Sequence, residues 1–291
     1  HVHYAIKANA NARILKEIAS RGFGADCVSG GEIEAAINAG FPNSEIVYAG
    51  VGKADWEINL GLDNDIRCFN VESIPELEVI NELAGKKHKI AKVAFRRNPE
   101  VDAHTHNKIT TGLAENKFGI AISDMLSAIK TAEKMEHVEY VGLHFHIGSS
   151  IHDLSVFVAL CHRINELQDE LEANGIKTKS INVGGGLGIH YQDPDMKPIS
   201  DFKSYFNIFK TELKLRADQE LHFELGRSIL GQCGALISKV LYVKEGVNKK
   251  FLILDAGFTE LIRPAFYDAY HLIQNLSATN QAPTETYDVV G

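Results

Sequence analysis

Tyr4-Ala5-Ile6-Lys7-Ala8-Asn9 is the stretch whose reading decides the fold. It is an apolar run broken by one lysine and closed by an asparagine, a strand by composition. A helical pattern follows at once. Asn9 or Asn11 supplies its cap, Ile14, Leu15, Ile18 and Ala19 make one face, and Gly22 ends it. A strand feeding directly into a helix is the unit of a parallel α/β fold. Chemistry in such folds gathers at the carboxyl ends of the strands, and Lys7 falls near one. A lysine there is paired with a carboxylate, reaches out to solvent, or is used covalently as a Schiff base. The stretch alone leaves these readings open.

The same rhythm continues along the chain. Strand-like runs lie at Phe23 to Ser29, Ile46 to Gly50, Arg67 to Glu72, Lys92 to Arg97, Val138 to Ser149, Ser180 to Gly184 and Glu220 to Gly226. Between them, Ser29-Gly-Gly-Glu32 and Ser73-Ile-Pro-Glu76 have capping-box spacing. Ile33, Ala36 and Ile37 mark a helix ended by Gly40, and Leu77, Ile80, Leu83 and Ala84 mark another. Met125 to Met135 and Leu154 to Ala173 are helical, and Phe202, Phe206, Phe209 and Leu213 stripe a further helix. A polar loop covers Asn98 to about Lys117. Eight strands alternating with helices across residues 1–226 predict a (β/α)8 TIM barrel. A doubly wound sheet would carry a dinucleotide fingerprint, and Gly184-Gly-Gly-Leu-Gly188 fails it because Ile189 stands at the last glycine position. Gly50-Val-Gly-Lys53 is not a Walker A loop. After Gly226, Ala235 to Val243 and Lys250 to Asp255 are β-rich without a helix between them. Residues 227–291 therefore read as the start of an all-β domain, too short to close a core of its own.

The composition is that of an ordinary globular protein, with 45% hydrophobic and 23% charged residues among 291. A formal net charge of -8 argues against nucleic acid or an anionic membrane as partner. No run has the length of a membrane span, and Cys27, Cys68, Cys161 and Cys233 form no CxxC pair. A reducing compartment, the cytoplasm, is the expected location, and the chain begins directly on a strand with no leader.

Polar residues recur at one end of successive strands: Lys7, Asp26, Glu72, Arg96, Arg97, His144, His146, Gly184 to Gly186, Glu224 and Arg227. In a barrel these ends converge on one mouth. Gly184-Gly185-Gly186 is either a flexible turn or a place where backbone amides approach a phosphate. His144-Phe-His146 is a metal pair, or one packed and one working histidine; no metal is expected, since no further ligands accompany it. Glu224-Leu-Gly-Arg227 is a plain ion pair, or a carboxylate for a heterocyclic nitrogen beside an anion clamp. A lysine, a phosphate cradle, a histidine face and a glutamate together describe a site for pyridoxal 5'-phosphate.

Tyr4-Ala-Ile-Lys-Ala-Asn9, His144-Phe-His-Ile-Gly-Ser149, Gly184-Gly-Gly186, Glu224-Leu-Gly-Arg227 and Leu261-Ile-Arg-Pro-Ala-Phe-Tyr-Asp-Ala-Tyr-His271 resemble the fold-type III pyridoxal phosphate decarboxylases, in order along the whole chain. The last motif is similar to the branch that converts meso-2,6-diaminopimelate to L-lysine and carbon dioxide, the last step of lysine biosynthesis. The resemblance implies Lys7 as Schiff-base lysine, His146 stacked on the cofactor ring and Glu224 at its nitrogen. Asp26 would sit near Lys7, and Ser149 near the phosphate. Gly184, Gly185, Gly186, Gly226 and Arg227 would complete cofactor binding, and Arg227, Arg263 and Tyr267 would hold the substrate carboxylates. It also implies a homodimer with a site shared across the interface. The family has an N-terminal segment, a Cys-Glu-Ser motif and a late tyrosine that this sequence lacks, so a fragment with an incomplete site is expected. Ser150, His152 and Leu225 also depart from its pattern. Rival readings are a sister decarboxylase for ornithine, arginine or carboxynorspermidine, a non-catalytic carrier of the cofactor, and a metal hydrolase using His144 and His146. Arg263 favours a substrate with a distal carboxylate.

Overall fold

A computed structural model describes residues 1–99, 118–279 and 284–291. Most of the polar loop expected from Asn98 to Lys117 lies outside them. The chain divides into two compact units, one of residues 1–189 with 199–231, the other of residues 190–198 with 232–291.

The first unit is a closed barrel of eight parallel strands in sequential order. They are β1 (Val2–Ala5), β2 (Gly24–Cys27), β3 (Ile46–Tyr48), β4 (Cys68–Val71), β5 (Ala91–Arg97), β6 (Val138–Phe145), β7 (Ser180–Asn182) and β8 (Glu220–Leu225). β1 closes the ring by pairing His3 with Glu224 and Tyr4 with Leu225. The helices are α1 (Ala12–Ser20), α2 (Gly30–Ala39), α3 (Asp55–Asp63), α4 (Ile74–Lys86), α5 (Met125–Ala132), α6 (Ser155–Ala173), α7 (Phe202–Glu212) and the single turn α8 (Arg227–Leu230). The (β/α)8 architecture expected from the alternation is the one observed.

Alternation along each strand separates two environments. Tyr4, Ala25, Tyr48, Phe69, Phe95, Phe145, Ile181 and Phe223 join one large apolar core with the buried faces of the helices. Inside the ring, Val47, Cys68 and Ala94 form a small apolar plug, with Val141 packed against it. The remaining buried positions of the strands include His3, Asp26, Asn70, Arg96, His144, Asn182, His222 and Glu224. The barrel is oily outside its wall and largely polar within.

Both predicted capping boxes close in a shifted form. Ser29 and Ser73 accept the N–H of Glu32 and Glu76, but each glutamate accepts from the residue before the cap, Val28 or Glu72. The helix α3 has no sequence counterpart in the reading above. Its cap position is Ala54, the exposed Trp56 interrupts its apolar face, and Glu57 takes the orphan N–H of Ala54 in place of a capping hydroxyl. The first strand is shorter than the apolar run suggested: it stops at Ala5, and Ile6–Ala8 is a 3-10 turn that carries Lys7.

In the second unit, β9 (Val240–Glu245) pairs antiparallel with β10 (Lys250–Leu254), and β10 pairs parallel with β11 (Asp288–Val290). Parallel pairing needs a crossover, and the one here contains the short helix α9 (Arg263–Tyr267), so this unit is not purely β. Among the described residues no helix is long and apolar enough to cross a membrane.

Tyr205, Phe157, Phe209 and Phe223 meet edge-on or tilted between α6, α7 and β8. Phe209→Ala should cost about 3–5 kcal/mol of stability, read from urea unfolding, because the packed rings leave a cavity that cannot collapse.

Candidate active site

The mouth of the barrel is assembled from the carboxyl ends of its strands. The 3-10 turn after β1 is held by Asn9 N–H donating to Ile6 O (3.0 Å) and by Tyr4 Oη donating to Asn9 O (3.0 Å). Ile6 is anchored in the core while the Lys7 side chain is 53% exposed. Gly226, just after β8, lets this turn come close: a Cβ there would lie 3.1 Å from both Ala5 Cβ and Ala8 Cβ. Lys7 Nζ donates to Asp26 Oδ2 at 3.4 Å, and Asp26 is 1% exposed. Asp26, with Glu224 beyond it, raises the affinity of Lys7 for its proton. Burial and the nearby Glu224 push the Asp26 carboxyl up to about 6, only partly offset by Lys7 and His144. Its Oδ1 is buried with no hydrogen-bond partner among the described residues.

Glu224 is the centre of the site. Asn70 Nδ2 and Asn182 Nδ2 donate to its Oε1 at 3.2 and 2.7 Å, and His144 Nε2 lies 2.9 Å from its Oε2. Asn70 stands on β4, across the ring from β8, so this bond spans the lumen. Burial alone would raise the Glu224 carboxyl, but His144, through its charge and hydrogen bond, and Lys7 hold it well below the usual carboxylate range. Glu224 is thus an ionised carboxylate in a nearly dry setting.

Gly184 and Gly186 adopt φ of +70° and +107°, open to glycine at no cost. A Cβ on Gly184 or Gly185 would collide with the carbonyl oxygen of Phe145 or of Glu224 respectively, so no side chain fits in this turn. His146 lies just past the end of β6, not on the strand face shared with His144. Its Nδ1 accepts from Gly185 N–H (3.4 Å), and burial, with Arg96 and Lys7 nearby, keeps it neutral by holding its pKa well below the usual value. Arg227 donates through Nε and Nη2 to Ser149 Oγ at 3.3 and 3.2 Å, tying the start of α8 to the loop after β6. Glu72 binds Arg96 Nη1 (2.8 Å) and Gly119 N–H (2.8 Å), and the Arg96 guanidinium lies over Phe118.

The structure therefore brings together Lys7 with Asp26, Glu224 with His144, His146 with Gly185, and Ser149 with Arg227. Of the two histidines, His144 meets Glu224 and His146 meets Gly185. The grouping of His1, Glu220 and His222 has ligand-like spacing, but Arg67 already binds Glu220 there and lies 3.3 Å from His222 Nε2. Arg263 and Tyr267 belong to the second unit. There Arg263 Nη1 meets His271 Nε2 at 2.8 Å, its guanidinium lies 4.0 Å from the Tyr191 ring centre, and Tyr267 packs edge-on to Phe266. Sequence reasoning missed Asn70 and Asn182. Their signal was a polar residue set between two apolar ones, Phe69-Asn70-Val71 and Ile181-Asn182-Val183, on otherwise buried strands.

An acid whose folded pKa is raised disfavours the folded state once it must ionise, so Asp26 lowers stability as pH climbs from about 4 to about 6. Asp26→Asn should gain stability relative to the unaltered protein across that window; urea unfolding at a series of pH values measures the difference.

The pyridoxal binding domain model of the pyridoxal-dependent decarboxylases matches residues 1–231. A diaminopimelate decarboxylase from Bacteroides thetaiotaomicron is 65% identical over 290 residues, covering 100% of this chain and 75% of that relative. One from Neisseria meningitidis is 43% identical over 290 residues, covering 100% of this chain and 70% of its own length. The crystal structure of diaminopimelate decarboxylase from Helicobacter pylori complexed with L-lysine superposes with a TM-score of 0.89 at 38% identity, covering 100% of this chain and 71% of that one. On this evidence the chain belongs to the pyridoxal-dependent decarboxylases, within the diaminopimelate decarboxylase family.

Proposed function

We propose that this chain, with pyridoxal 5'-phosphate, removes carbon dioxide from the D-configured end of meso-2,6-diaminopimelate and yields L-lysine. Residues 1–226 would be its cofactor-binding barrel and residues 227–291 the start of a second domain. The observation that carries the reading is Glu224, an ionised carboxylate at the mouth of the barrel with an amine, Lys7, and a side-chain-free glycine turn around it. The residues present fit the cofactor. Lys7 offers a primary amine, the Gly184 to Gly186 turn carries no side chain that would bar an anion from its backbone, and the unpartnered Asp26 Oδ1 awaits a donor. When bound, pyridoxal phosphate supplies an electron sink for the carbon that loses its carboxylate.

The chain's own residues would divide the remaining tasks. Glu224 holds a proton at the pyridine nitrogen, which its ionised state and its fixed orientation both favour. Asp26 holds the Lys7 ammonium in place at the mouth through its ion pair, and its free Oδ1 stays open to a further donor. His146, neutral and buried, presents an uncharged face to the ring. Ser149, Gly226 and Arg227 complete the anion-binding side, where Arg227 already presents its guanidinium to a hydroxyl. Arg227, Arg263 and Tyr267 suit carboxylates of the substrate, and Arg263 suits a distal carboxylate better than a distal cation. A homodimer belongs to the same proposal. The relatives complexed with L-lysine support the substrate class.

Protein incubated with pyridoxal phosphate and reduced with borohydride should carry the phosphopyridoxyl mass on the peptide containing Lys7. Lys7→Ala should lose that mass and all release of carbon dioxide from meso-diaminopimelate. Label on another lysine would overturn the assignment, and faster turnover of ornithine or arginine would overturn the substrate.

A further inference from the structure

We propose that Asn182 is a positioning residue that couples the glycine turn to Glu224, so that one side chain sets both ends of the bound cofactor. The inference rests on the cofactor reading above and adds to it a residue outside every motif that led there. Asn182 is the last residue of β7 and is buried. Its two polar atoms face different partners. Oδ1 accepts from Gly184 N–H at 2.9 Å, and Nδ2 donates to Glu224 Oε1 at 2.7 Å. A backbone donor on one side and a carboxylate on the other leave only one orientation of the amide that satisfies both. The main chain makes the same link, with Glu224 N–H donating to Gly184 O at 2.8 Å. The turn and the carboxylate are thus locked at one spacing. A flat cofactor with a phosphate at one edge and a ring nitrogen at another would meet the turn and the carboxylate at that fixed separation.

Asn70 could hold Glu224 alone, at 3.2 Å, but among the described residues its side chain makes no hydrogen bond to the glycine turn. The His144 side chain likewise has its one hydrogen-bond partner among the described residues in Glu224. Asn182 is distinguished by serving both partners, and a residue that merely filled space would need neither bond. The charged and titratable groups around Glu224 include His144 and His146 at the end of β6, Lys7 and His3 from the first strand and its turn, Asp26 on β2, Cys68 on β4, Tyr205 on α7 and His222 on β8.

Two near-isosteric variants separate the two bonds. Asn182→Asp keeps an acceptor for Gly184 N–H but sets a second carboxylate against Glu224. Like charges at that distance raise the proton affinity of the pair, so the ionised state needed at the ring nitrogen is lost at a higher pH. Asn182→Leu removes both bonds. Equilibrium dialysis of pyridoxal phosphate and of pyridoxal measures the contribution of the phosphate as a ratio of dissociation constants. For Asn182→Asp that ratio should stay within about twofold of the unaltered protein, while the acid limb of kcat/KM moves up by about one pH unit or more. For Asn182→Leu the ratio should fall about tenfold, the loss expected for one buried hydrogen bond. Asn182→Ser, which keeps a hydroxyl acceptor without the amide donor, supplies the comparison if Asn182→Leu fails to fold; its ratio should follow that of Asn182→Asp. Variants that match the unaltered protein in both measurements, or an Asn182→Asp protein whose ratio falls as far as that of Asn182→Leu, would overturn the coupling. Unaltered protein that binds no pyridoxal phosphate would overturn the functional reading instead.

Discussion

A negative charge kept inside the barrel is the constraint on which the rest of the mouth depends. An isolated carboxylate in a low-dielectric interior would take up a proton. Glu224 does not, because donors reach it from three other strands: Asn70 from β4, His144 from β6 and Asn182 from β7. Only a closed ring brings strands so far apart in sequence within hydrogen-bond range of one atom pair. The barrel is therefore more than a platform for loops. Its circumference is the device that keeps this group ionised.

That arrangement explains the division of labour along the strands. Outward residues are apolar and make the core with the helices, where most of the hydrophobic stabilisation arises. Inward residues contribute only the small plug of Val47, Cys68 and Ala94, with polar groups above and below it. A second buried pair supports the same wall. Lys53, with a side chain that is 0% exposed, spends its three donors on Gly50 O, Asn70 O and Glu76 Oε1. It thereby fixes the main chain of the residue whose amide crosses to Glu224. Satisfaction of every proton makes a lysine tolerable there.

The barrel was legible because strand and helix periods alternate with glycine stops and serine caps, signals that are local and were read at Ser29, Gly40 and Ser73. Helix α3 was not, since Ala54 carries no capping side chain and the exposed Trp56 blurs the apolar face. The end of β1 was misplaced because Tyr4 to Asn9 is apolar but for Lys7 and the closing Asn9; the strand stops where Ala5 and Ala8 come close to Gly226, a partner more than two hundred positions away. Among site residues, those with unusual chemistry, Lys7, Glu224 and the glycines, stood out in the sequence. Asn70 and Asn182 did not, because an asparagine on a strand is informative only once its partner across the lumen is known. His144 stood out but with its role open, and its bond to Glu224 answers a question that spacing alone posed.

The close approach of Gly226 to Ala5 and Ala8 has a bearing on how the molecule comes into being. Lys7 lies at one end of the barrel sequence and the strand that holds Glu224 lies at the other, so their meeting is among the most non-local events in folding. Loop closure over such a span is slow, and the first strand must keep an unpaired edge until the eighth is made. On a ribosome, no nascent chain shorter than β8 can hold the assembled site, however much of the wall has already formed. Competence to bind and completion of the ring would then arrive in a single step.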